Sequence, residues 1–143
     1  MAVTSDTSNH YKYALLNAVA SNTFKAILMN TTYAFDRDAH ATLADVTASQ
    51  LSTGDGYVQD SKTLTSVAVA EDDTNDRAQL TADDVTWTAS GGDIGPFGAM
   101  VIYDDTSADD AVVGCIDFGT DYTISDGASW TGKGVAINIG IGV

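Results

Sequence analysis

The residues best suited to chemistry are Asp36, Asp38 and His40, which occupy alternate positions in one short segment. Two carboxylates and an imidazole at this spacing could gather on one side of an extended loop and hold a cation. The segment departs from the calcium-loop pattern, because its sixth position is Ala41 in place of Gly and its twelfth is Thr47 in place of Glu. The other interpretation is a helix N-terminus, where carboxylates accept hydrogen bonds from free backbone N–H groups. We expect the cap and keep Asp36, Asp38 and His40 only as weak metal candidates.

Adjacent aspartates could supply paired carboxylates elsewhere in the chain. Such pairs can work as a general acid and base, or can bind a hard cation. They also simply hydrate turns between strands, and with nineteen Asp in 143 residues adjacent pairs are expected by chance. We therefore expect hydrated turns at Asp72-Asp73, Asp104-Asp105 and Asp109-Asp110.

Nucleophilic chemistry has few candidate residues. His10 and His40 are the only histidines, and Cys115 is the only cysteine, which excludes an intramolecular disulfide and a cysteine-based zinc site. The sequence has no G-x-S-x-G turn of serine hydrolases and no G-x-G-x-x-G phosphate-binding turn. Cys115 lies in an apolar run and is expected to be a small buried hydrophobe. We expect a protein that is not an enzyme and has no cofactor.

The acidic residues are almost all aspartate, since Glu71 is the only glutamate among twenty acids. Asp competes with the backbone for hydrogen bonds and so favours caps and turns, whereas Glu favours helices. Against six Lys and Arg, these acids give a net charge of −14. That charge argues against nucleic acid and anionic membranes as partners, because both attract basic surfaces. It favours an exposed, mutually repelling surface, and a saline habitat is an alternative explanation.

A chain of 143 residues has the length of one domain. We expect residues 1–9 to form a flexible arm without a signal peptide, and residues 10–143 to form a single β-rich structural domain. Short helices are predicted in the N-terminal half at Tyr11–Ala20, with Asn9 as its candidate cap, and at Asp38–Val46. Strands are predicted at Phe24–Met29, Thr63–Ala70, Val85–Thr88, Ala99–Tyr103, Ala111–Phe118 and Gly134–Ile141. The pattern indicates a mainly β fold, an antiparallel β-sandwich or small barrel of about six to eight short strands.

Three details of this pattern concern packing. Phe24–Met29 is apolar on both faces, which predicts a central strand. Ala99–Tyr103 and Ala111–Phe118 form the best candidate hairpin. Trp87 alternates with threonines, so a core position is favoured over a sugar-stacking surface.

Several segments, in their joint order, resemble a family of small virion structural proteins of tailed bacteriophages. The resemblance extends from about Tyr11 to Ile139, and each motif alone has low specificity. Cys115 stands where that pattern usually has an aromatic or apolar residue. The segments are Tyr11-Lys12-Tyr13, Phe24-Lys25-Ala26-Ile27-Leu28-Met29, Thr32 to Thr42, Gly54-Asp55-Gly56-Tyr57, Ala82 to Ala89, Ile102 to Thr106 and Gly114 to Gly119.

The resemblance implies a structural protein of the phage particle, with no activity, cofactor or catalytic residue. We expect a capsid decoration (cement) protein on the outer surface of the assembled head, made in the host cytoplasm. Its partners would be the major capsid protein or other virion proteins, and it would form a homo-oligomer. The expected contact residues are Phe97, Ala99 and Met100, together with the arm. A tail, collar or fibre-base component, such as a calcium-binding adhesin, is the alternative.

Overall fold

The computed structural model describes residues 5–140. The helices are α1 (Asn9–Asn17) and α2 (Leu43–Val46), and a single 3-10 turn, Thr47–Ser49, follows α2. The strands are β1 (Phe24–Met29), β2 (Lys62–Thr63), β3 (Ala68–Asp72), β4 (Arg77–Thr81), β5 (Val85–Thr88), β6 (Ile94–Asp104), β7 (Ala111–Ile124), β8 (Ser129–Gly132) and β9 (Ala136–Gly140). None of the helices in this part of the chain is long and apolar enough to cross a membrane.

The strands form three antiparallel sheets. The largest has the order β2-β1-β6-β7, the second has the order β3-β4-β9, and β5 pairs with β8. Short antiparallel strands around one core are consistent with a small β-sandwich. The predicted mainly β class is therefore confirmed.

Strand β1 is buried on both faces, as its sequence predicted. Phe24, Ala26 and Leu28 enter the main core, whereas Ile27 and Met29 enter a second cluster on the opposite face. The main core also contains Leu80, Trp87, Ile102 and Ile137, from all three sheets. The second cluster contains Val46, Ala99, Val101 and Tyr103, with Tyr33 and Leu43 packed against it. The segment around α2 thus closes the face of the largest sheet that the other sheets do not cover.

Strand β2 pairs with only part of the outer edge of β1, and the loop that carries Leu51 and Tyr57 covers the rest of that edge. Leu28 N–H donates to the Tyr57 hydroxyl at 3.0 Å, and Leu51 N–H donates to the Leu28 carbonyl at 3.0 Å. The side chain of Gln50 also donates to the Tyr57 hydroxyl at 3.0 Å. These bonds are needed because a buried strand cannot leave its backbone groups unpaired.

Strands β6 and β7 form the predicted hairpin and extend it. Val101 lies opposite Cys115, and the pairing continues to Ile94 opposite Ile124. The connection between them is held by Asp104, which accepts from Thr106 N–H at 2.9 Å. Register shifts lie on both sides of Phe97, and irregularities of this kind locally bend a strand.

Aspartates occupy the turns in a specific conformation. Within residues 5–140, five residues other than glycine have positive φ, and four of them are Asp55, Asp60, Asp76 and Asp110, at 50° to 58°. Asp tolerates the left-handed region better than most side chains, because its short carboxylate can bond to the local backbone. The preference for Asp over Glu therefore has a backbone reason at these turns.

The predicted strand Thr63–Ala70 is interrupted at Ser66, which has a φ of 53°. Ser66 and Thr65 both donate side-chain hydrogen bonds to the Asp83 carboxylate, at 2.7 and 3.0 Å. The interruption lies where the chain leaves the sheet of β2 and enters the sheet of β3. A uniform alternating pattern does not reveal that change of sheet.

The helices and the chain ends also differ from the prediction. Helix α1 begins at Asn9 and is capped by Ser8, whose hydroxyl accepts from Tyr11 N–H. The predicted second helix is reduced to Leu43–Val46, because a turn held by Asp36 precedes it. Of the predicted arm, residues 1–4 lie outside the described residues, as does Ile141 of the last predicted strand.

Both faces of β1 should contribute to stability. Ile27 and Leu28 are each 0% exposed but enter different clusters. We expect Ile27→Ala and Leu28→Ala each to lower the free energy of unfolding by about 2–5 kcal/mol, measured by urea denaturation. The exposed Thr120→Ala is the control and should change it by less than about 0.5 kcal/mol. A loss below about 1 kcal/mol for Ile27→Ala alone would show that the second cluster is not a packed core.

Candidate functional site

Asp36, Asp38 and His40 form a closed turn. The Asp36 carboxylate accepts from the N–H groups of Asp38 and Ala39 at 2.9 and 3.2 Å. His40 Nδ1 accepts from Asp36 N–H at 3.0 Å, and its ring stacks on Tyr33. The two backbone donors hold the pKa of Asp36 below its usual value. Asp36 thus accepts backbone hydrogen bonds as predicted, but it does so in a turn instead of at a helix N-terminus. Within residues 5–140, no three His, Cys, Asp or Glu side chains are grouped to hold a metal.

Helix α2 is capped by a different aspartate, Asp45. Its carboxylate reaches back to Thr42, accepting from the N–H at 2.8 Å and from the hydroxyl at 3.0 Å. A third bond comes from Ala41 N–H at 3.2 Å. These donors favour the ionised form and lower the pKa of Asp45.

The expected contact residues Phe97, Ala99 and Met100 lie inside the molecule. They are 0%, 5% and 1% exposed. Strand β6 is covered on both faces, because Phe97 and Met100 enter the main core and Ala99 enters the second cluster. In this conformation these three residues offer no surface to a partner, and we correct that expectation.

The aromatic residues near Phe97 form one cluster. Phe97 and Phe118 each meet Trp130 edge-on, with ring centroids 5.1 Å apart, and Tyr122 closes the group. Trp87 is 3% exposed, which confirms its core position. The cluster therefore stabilises the junction of the large sheet with the β5-β8 pair.

Cys115 is half-buried, where full burial was expected. It lies on the edge strand β7, whose outer residues are only partly covered. Partial burial raises the pKa of its thiol to about 11, and the carboxylate of Asp117 acts in the same direction.

Helix α1 presents an uncovered apolar stripe. Tyr11 and Leu15 are each 58% exposed, and Ala14 and Ala18 on the same side are also exposed. The spacing of these four residues places them on one helical face. The structure turns Lys12 and Leu16 inward, which leaves Tyr11 and Leu15 on the outer side of the helix.

Acidic residues are absent from one continuous part of the sequence. Residues 7–35 contain no Asp or Glu, although the chain has twenty acids. This acid-free segment includes α1, β1 and the loop that ends at Phe35. Three acids do approach the first turn of α1, where Glu71 meets His10, and Asp73 and Asp76 meet Asn9.

A groove of about 920 Å³ lies between β7 and β9, and we call it the β7–β9 groove. Its apolar lining includes Phe35, Val113 and Ile137, and its basic lining consists of Lys12, Arg37 and Arg77. These three cations come from α1, the loop after β1, and β4. Only the fold brings them together, since up to forty positions separate neighbours in the sequence.

No family model, curated protein or solved structure matches this chain.

The Asp45 cap should make part of the stability depend on pH. Because folding lowers the pKa of Asp45, its contribution is present above the unfolded pKa, about 3.9, and is lost as the pH falls through the folded value. We expect wild type to unfold at higher urea than Asp45→Asn at pH 7, with the two midpoints converging below about pH 4. Asp45→Asn also removes one negative charge from this −14 chain, so the comparison needs a control that removes a charge elsewhere.

Asp109→Asn is the matched control, since it removes one exposed carboxylate that accepts no recorded hydrogen bond from residues 5–140. Its midpoint should follow wild type. A gap between wild type and Asp45→Asn that persists unchanged at pH 2.5 would contradict an ionic cap.

The thiol of Cys115 should react slowly in the folded protein. A rise of its pKa from 9.0 to about 11 lowers the thiolate fraction at pH 8 by about a hundredfold. We expect iodoacetamide to alkylate the native protein at least about fiftyfold more slowly than the protein in 6 M guanidinium. Equal rates in the two states would show that Cys115 is open to solvent.

Proposed function

We propose that this chain is a non-enzymatic structural protein of a tailed-phage particle, and that it binds the outer surface of the assembled head as a decoration protein. The observation that carries the proposal is the exposed apolar stripe of α1, which lies within the acid-free segment. Helix α1 presents Tyr11 and Leu15 from the acid-free segment, whereas all twenty acids belong to the rest of the chain. An exposed apolar face can dock against another protein, whereas the acidic remainder of the surface is suited to contact with water.

The apolar stripe of α1 would supply the contact. Tyr and Leu are large enough that burying each could contribute about 1.5–3 kcal/mol. Much of that gain is offset by the lost freedom of the bound protein. A single copy would therefore bind modestly, and repetition over a symmetric head would multiply the effect.

The acidic turns would face away from the particle. A net charge of −14 per copy repels neighbouring particles and resists random association. The largest sheet has a packed core on each face, which suits a protein that holds its neighbours in place. The resemblance of the sequence motifs to those of small phage virion proteins supports the assignment to a phage particle.

The proposal is tested with particles of the source phage that lack the gene. We expect heads to assemble but to release DNA at a lower temperature than wild-type heads, and purified protein to restore their heat resistance. Unchanged heat resistance of the particles without the protein would overturn the decoration role. Binding of labelled protein to tails and not to heads, seen by electron microscopy, would favour the tail alternative.

The docking face is tested in the same assay by two variants. Tyr11→Gln with Leu15→Gln keeps good helix formers while removing the apolar stripe, and should abolish the rescue. Val58→Gln is the matched control, because Val58 is also exposed, at 53%, but lies outside the acid-free segment. Equal rescue by both variants would exclude α1 as the contact.

A further inference from the structure

We propose that the β7–β9 groove binds an extended, carboxylate-bearing segment of a partner polypeptide. The inference does not depend on the proposed function, since it concerns a surface other than the apolar stripe of α1. It is carried by the edges of the two strands and by the charges that line the groove.

The groove is bounded by two sheet edges. Strand β7 is the last strand of its sheet and β9 is the last strand of the other, so each has one side without a neighbouring described strand. On the outer edge of β7, Val112 N–H donates to the Ala41 carbonyl. Val113 and the next two residues line the groove. Unpaired strand edges can accept an extended peptide through main-chain hydrogen bonds.

Positive charge is concentrated at this groove. Fifteen of the described residues line it, about a tenth of the chain, yet they include three of the six Lys and Arg. Two carboxylates also line it: Asp6 accepts from Thr7 N–H, and Asp76 accepts from the Asn9 side chain. Three cations against two carboxylates give the lining a net charge of +1, in a chain whose total is −14.

Lys12 is the most buried of the three cations. The residue is only 8% exposed, and its ammonium donates to the Asp76 carbonyl at 2.8 Å and to the Asn9 amide oxygen at 3.3 Å. Both acceptors are neutral, and no carboxylate of residues 5–140 lies within ion-pair distance. A buried cation without a counter-ion is costly, so an anion entering the groove would gain from its presence.

The two arginines extend this anionic preference along the groove. Arg77 Nε donates to the Asp72 carboxylate at 2.7 Å. The other N–H groups of its guanidinium have no hydrogen-bond partner within residues 5–140. Arg37 is exposed and makes no recorded hydrogen bond or ion pair within residues 5–140. Arginine binds carboxylates through paired N–H donors, so both residues suit Asp or Glu side chains.

The groove favours a peptide over a nucleic acid. Three cations could neutralise only a few phosphates of a nucleic acid, whereas they match the few carboxylates of a short peptide segment. The lining by Phe35, Val113 and Ile137 can accept apolar side chains. In an extended strand, alternate residues point to opposite sides, so acidic and apolar positions could alternate along the groove.

The test uses the purified full chain and a fluorescein-labelled, blocked eight-residue peptide of alternating Asp and Val. The matched probe replaces every Asp by Asn. By fluorescence polarisation at 20 mM NaCl, we expect the Asp peptide to bind at least about tenfold more tightly than the Asn peptide, and to weaken at 300 mM NaCl.

Arg37→Gln is the informative variant, because Arg37 is exposed and its replacement should not disturb folding. It should weaken binding of the Asp peptide about fivefold. Lys133→Gln is the control, since it removes the same charge from an exposed residue outside the groove. Amide NMR shifts on adding the Asp peptide should concentrate at residues 113–115 and 136–140.

Three results would overturn the inference: equal affinity for the Asp and Asn peptides, equal losses in the two variants, or NMR shifts centred away from the groove. A dimer seen by sedimentation without peptide, and abolished by Arg37→Gln, would show that a second copy fills the groove instead of another protein. Peptide binding and heat resistance of particles are separate measurements, so either proposal can fail alone.

Discussion

The structure depends on the pairing of β1 with β6, two apolar strands that are buried on both faces. A strand of this kind must be covered above, below and along its edges, because its apolar side chains avoid water and its backbone groups must be paired. The β3-β4-β9 sheet and the β5-β8 pair cover one face. The segment around α2 covers the other, and the loop carrying Tyr57 closes the open edge of β1.

The aspartates follow from this arrangement. Covering one central pair with short strands requires many tight turns, and several of those turns need a left-handed residue. Asp55, Asp60, Asp76 and Asp110 fill that role, while Asp36, Asp45 and Asp104 accept hydrogen bonds from turn or cap N–H groups. Negative charge is therefore concentrated at many of the turns. The acid-free segment differs because it contains α1 and the central strand β1, with few such reversals.

Two surfaces stand out from this acidic background for different reasons. The stripe of Tyr11 and Leu15 is apolar, and its exposure results from the inward turn of Lys12 and Leu16. The β7–β9 groove is basic, and it exists because the two larger sheets end beside each other without a strand between them. A protein with one apolar and one basic surface has distinct means of contacting two partners, or two parts of one partner.

The sequence by itself determined the mainly β class, the central position of β1, the hairpin of β6 and β7 and the core position of Trp87. These features depend on the alternation and composition of residues within a single segment, which the sequence shows directly. Only the tertiary structure decided that Ser66 marks a change of sheet, that Phe97 and Met100 are enclosed, and that α1 turns Tyr11 outward. It also decided that Lys12, Arg37 and Arg77 meet at one groove. The physical reason is that burial and charge proximity depend on which elements pack together, and contacts between residues far apart in the chain leave no periodic signal.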